Sequence, residues 1–97
     1  MSALLSRITI ATEWIGHRNN AIGTRIVTDV IADTTAYAWR LTARTPARTD
    51  VRQFAERIAE AGLSALTAHD AGDRATGLRH LRQITVACAV LDGIASA

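Results

Sequence analysis

Apolar positions recur at helical spacing in four stretches of the chain, and short polar breaks separate them. The stretch from Asp73 to Ala95 organises the rest. Its residues Leu81, Ile84, Ala87, Cys88 and Leu91 fall on one face at about 100° per residue, with His80 at the edge of that stripe. Val86 and Val90 form an i, i+4 pair on a second face, beside Arg79 and Gln83. Two apolar faces on one helix predict two packing partners. Gly72 suits the end of a preceding helix, and Asp73 suits an N-cap whose carboxylate accepts from free backbone N–H groups.

Three further helices are read upstream. The first runs from a Ser2 cap to about Ile15, with Leu4, Ile8, Ala11 and Ile15 inward and Ile10 and Trp14 on the far side. The second covers about Ala21 to Arg44 after a cap at Asn19 or Asn20. Ile26, Val27, Val30, Tyr37, Ala38 and Leu41 form its core face, and Trp39 points away from it. Thr45-Pro46 ends this helix, because the residue before proline is biased away from the helical region. The third is capped by Thr45 or Thr49 and runs to about His69, with Val51, Phe54, Ala55, Ile58, Ala61, Gly62, Ala65 and Leu66 on one broad face.

Breaks near residues 16–20, 45–49 and 70–73 are short, which predicts an up-down-up-down order. The expected fold is a single all-α domain over residues 1–97: an antiparallel four-helix bundle-like domain with a short first helix. That short helix leaves part of the groove between its companions uncovered. Together with Ile10, Trp14, Trp39, Val86 and Val90, it predicts an interface, with a homo-oligomer (dimer) or a helical protein as the partner.

Composition refines this picture. Hydrophobic residues make up 48% of the chain and much of that is alanine, so the core should be thin and its helices close. The uncharged run from Ile84 to Leu91 is far shorter than the roughly 20 residues of a membrane span. Arg7 and Glu13 interrupt any apolar leader segment, and the single Cys88 allows no internal disulfide. Both points lead to the expectation of a cytoplasmic protein.

The net charge is +2, and all eleven basic residues are arginine. Arg40, Arg44, Arg48 and Arg52 gather around Pro46, a cluster able to neutralise phosphates, so nucleic acid is a second candidate partner. At the other end, alternating helices would bring together His17, Arg18, Asn19, Asn20, His69, Asp70, Asp73 and Arg74. Histidines with arginines and carboxylates are the materials of proton transfer and anion stabilisation.

Arg74 and His80 have the spacing Arg-x5-His at the start of a helix, within RATGLRH. This resembles the motif of the HEPN ribonucleases, which work as dimers with the motif at a shared cleft. The resemblance implies Arg74 and His80 as catalytic candidates, although Ala75 stands where that family has a polar residue. No Gly-rich phosphate loop, Cys/His ligand set or nucleophile elbow occurs, and no cofactor or metal is expected. The leading expectation is therefore a small helical oligomerisation or protein-interaction module. A nucleic-acid-associated subunit and a HEPN-like ribonuclease are the alternatives.

Overall fold

The computed structural model describes residues 2–96. Its elements are α1 (Ser2–Trp14), α2 (Ala21–Arg44), α3 (Thr49–Asp70) and α4 (Arg74–Ser96). The all-α, bundle-like fold is as read from the periodicity. At 1.5 Å per residue α1 spans about 20 Å and α2 about 36 Å, within a body 42 × 22 × 17 Å. Side-chain ties fix the alternation of direction. The end of α1, the start of α2, the end of α3 and the start of α4 all meet at one pole, through Ile15, Thr24, His69 and Arg74.

The helix ends follow local chemistry. Asn20 caps α2, its Oδ1 accepting from the N–H of Gly23 at 2.8 Å. Asp73 caps α4, its Oδ1 accepting from the N–H of Thr76 at 3.2 Å. Gly16 and Gly72 have φ of 86° and 71°, the left-handed conformation that a residue without Cβ adopts freely.

The start of α3 differs from the sequence reading. Arg48, not Thr45 or Thr49, takes the N-cap position, and no side chain caps it. The Thr45 hydroxyl is turned back to the Leu41 carbonyl at 2.8 Å, so it closes α2 instead. The cap expected from Ser2 lies outside the described side chains.

Ile8, Ile15, Val27, Val30, Val51, Ile58, Leu81, Ile84 and Leu91 fill the core, with Ala11, Ala38, Ala55, Ala65 and Cys88 between them. Full burial of each large aliphatic side chain contributes about 1.5–3 kcal/mol. Alanines and glycines at the contacts let the helices approach closely. A Cβ on Gly77 would overlap the Ile15 side chain, and one on Gly23 would lie 2.6 Å from the Trp14 ring. The buried Thr34 hydroxyl is satisfied, since it donates within α2 to the carbonyls of Val30 and Ile31.

The Trp14 contact corrects one expectation. Trp14 is half-buried and packs on the core, so its ring covers Gly23 within this chain and is not part of a free outer strip. No helix among the described residues is long and apolar enough to cross a membrane.

Candidate functional site

Two regions concentrate chemistry. The first is the pole where all four helices meet. His69 is only 1% exposed, and both of its ring nitrogens are bound. Nδ1 accepts the Gly16 amide proton at 2.9 Å, which places the ring proton on Nε2, 2.8 Å from the Thr24 hydroxyl. Arg18 donates to the Asp70 carbonyl at 3.2 Å, and Arg74 donates to the carbonyls of Ile15 and Glu13 at 2.9 and 3.3 Å. Each guanidinium meets the C-terminal end of a helix in the other half of the chain, where cations suit the dipole. These side chains close the fold. His17 remains exposed beside this pole, its ring edge-on to Trp14 at 6.3 Å.

The second region is a groove along the outer seam of α3 and α4, about 730 Å³ in volume. Its apolar surfaces come from Phe54, Ala61, Val86 and Ala87. Ala61, Ser64 and Ala87 contribute small side chains to this trough. Arg57, Arg79 and Arg82 line its polar edge, and Glu60 is the single carboxylate among the lining residues. The Arg57 guanidinium lies 5.4 Å from the centre of the Phe54 ring, a cation–π contact. Among the described residues, none of these three arginines has a carboxylate within 4 Å.

The sequence candidates separate in space. His80 lines the groove, and its Nδ1 lies 2.9 Å from the Gln83 side-chain oxygen. Arg74 does not line the groove, since it is bound to the end of α1. The two residues of the Arg-x5-His motif therefore do not share this groove. Val86 is 65% exposed at the groove, and Val90 follows one turn later. Ile10 and Trp39 stand outside the core on α1 and α2, away from the groove lining. Ile22 and Leu63, about 70% exposed, are outlying apolar residues that the periodicity had not singled out.

The Arg40–Arg52 cluster is partly self-neutralised. Arg48 meets Asp50 at 2.6 Å and Arg52 meets Glu56 at 3.9 Å, whereas Arg40 and Arg44 have no such partner among the described residues. The hydrogen bond from Arg48 holds the Asp50 carboxyl below its usual range, and the same contact keeps Arg48 firmly protonated.

Burial pushes the Cys88 thiol up to about 11, which makes it a poor nucleophile at neutral pH. Among the described residues, no three His, Cys, Asp or Glu side chains are grouped as metal ligands would be. Compared with family models, curated proteins and solved structures, the chain matches none.

Proposed function

We propose that this protein is a small helical interaction module. It self-associates through apolar residues outside its core and offers the α3–α4 groove to a partner. The observation that carries this reading is the large apolar area left at the surface of a thin-cored chain, with Ile22 at 72%, Val86 at 65% and Ile10 at 47% exposure. Exposed aliphatic residues next to a groove, and an outward Trp39 on α2, are features of contact surfaces. At the polar pole, His69, Arg18 and Arg74 are bound to backbone groups or a neighbouring hydroxyl, which fits a part in closing the fold.

Sedimentation velocity at rising concentration tests self-association. Wild type should form dimers or larger species by tens of micromolar, and Trp39→Ala and Ile10→Arg, both away from the groove, should weaken them. A wild type that stays monomeric throughout that range removes self-association.

A further inference from the structure

We propose that the α3–α4 groove receives an acidic amphipathic helix from another protein; this inference rests on the interaction-module reading. Three observations select that occupant. The trough is partly open to solvent, with its lining running from Phe54 to Ser64 on α3 and from Arg79 to Ala87 on α4. Ten residues of helix cover about 15 Å, so three helical turns match this length. Small ligands, by contrast, are generally enclosed on most of their surface.

The second observation is the floor. Phe54, Ala61, Val86 and Ala87 offer apolar contact that the apolar face of a helix can bury, as in helix-in-groove recognition. A phosphate backbone would leave this surface unused. The third is the charge of the edges. Arg57, Arg79 and Arg82 face Glu60 alone, and none of them has a carboxylate within 4 Å among the described residues.

The same charges act against a second copy on this face. A two-fold axis through the groove would place two arginine-rich edges against each other, and like-charge juxtaposition opposes such a contact. Carboxylates flanking an apolar helical stripe would instead meet the guanidiniums in bidentate pairs.

The test uses the full chain and three labelled peptides: a helical one with leucines at i, i+3, i+4 and i+7 and glutamates elsewhere, the same peptide with lysines for glutamates, and a scramble of the acidic one. Fluorescence anisotropy should show binding of the acidic helix alone, and amide shifts should map it to residues lining the groove. Arg57→Glu with Arg82→Glu, both at exposed positions, should weaken the acidic peptide about tenfold or more and strengthen the lysine peptide.

Equal binding of acidic helix and scramble, no binding of the acidic helix, or shifts confined to other surfaces would overturn the proposal. So would displacement of the peptide by a thymidine oligonucleotide or by sodium dodecanoate that binds these residues more tightly. Sedimentation separates the two readings. A chain that self-associates but ignores the acidic helix loses only the groove assignment. A chain that does neither loses the interaction-module reading as well.

Discussion

The imidazole Nδ1 of His69 accepts the amide proton of Gly16 at 2.9 Å, joining the end of α3 to the end of α1 across 53 positions of sequence. With Nε2 facing the Thr24 hydroxyl, one buried ring ties together three helices. His69→Ala should therefore cost at least about 2 kcal/mol in chemical denaturation, since it opens a cavity and strands the Gly16 N–H. Thr24→Val should cost about 1–3 kcal/mol by leaving the ring N–H unpaired. Long-range 15N–1H spectra at mildly alkaline pH should show the neutral Nε2–H tautomer. The opposite tautomer, or a cost below about half a kcal/mol for His69→Ala, would contradict the arrangement.

Glycine substitutions should change sign with position. Gly→Ala within a helix gains roughly 1 kcal/mol of intrinsic helix preference. At Gly77 the new methyl would overlap Ile15, and at Gly23 it would press on the Trp14 ring. Overpacking costs about 1–3 kcal/mol, so after that gain both variants should be neutral to destabilised by up to about 2 kcal/mol. Gly93→Ala meets nothing within 4 Å and should be stabilising by up to about 1 kcal/mol. Thermal melts of the three variants read this directly.

Alkaline conditions should loosen the fold. The Cys88 thiol is raised to about 11 by burial, and Tyr37 is raised too, chiefly by burial and then by Asp92. Both groups hold their protons more tightly when folded. Their contribution is complete below the unfolded thiol value of about 8.5 and is lost as pH climbs through the folded one. Denaturation midpoints should fall between about pH 9 and 11, and Cys88→Ala should flatten part of that decline. Native protein at neutral pH should resist iodoacetamide until it is unfolded.

Acid should act at the start of α4. The hydrogen bond to Thr76 holds the Asp73 carboxyl below its usual range, with Arg79 a smaller contributor. A depressed carboxyl stabilises the fold above its unfolded value, and that help is lost as pH falls through the folded value. Stability should therefore drop below about pH 4. Asp73→Asn keeps a capping oxygen but cannot titrate, so its stability should depend less on pH in that range.

The fold was readable because helix signals are local. Periodicity identified the inward faces carrying Ile8, Val27, Ile58 and Leu81, and glycine, asparagine and aspartate marked the joins at Gly16, Asn20, Gly72 and Asp73. The misreadings at Thr45 and Trp14 share one cause. Each has two chemically reasonable partners, and only tertiary position decides between them. Thr45 could close α2 or open α3. Trp14 could face outward or cover a neighbouring glycine that lies nine residues later in sequence.

The candidate site was legible only in fragments. Val86 and Val90 beside Arg79 and Gln83 marked a second face on α4. That α3 would bring Phe54 and Arg57 alongside it depends on how the two helices rotate against each other, which no local spacing encodes. The Arg-x5-His spacing likewise said nothing of where Arg74 would be spent. The answer was the carbonyl of Ile15, 59 positions away.

The closure of the pole also sets a timetable for the growing chain. Gly16, Arg18 and Ile15 must wait for His69, Asp70 and Arg74, which are made 53, 52 and 59 residues later. At about 5–20 residues per second, that delay is roughly 3–12 s on the ribosome. Throughout that interval the α1 stripe of Ile8, Ala11 and Ile15 lacks α4, and only α2 can shelter it. The first helix made is thus held by α2 alone until the start of α4 is available to close over its end.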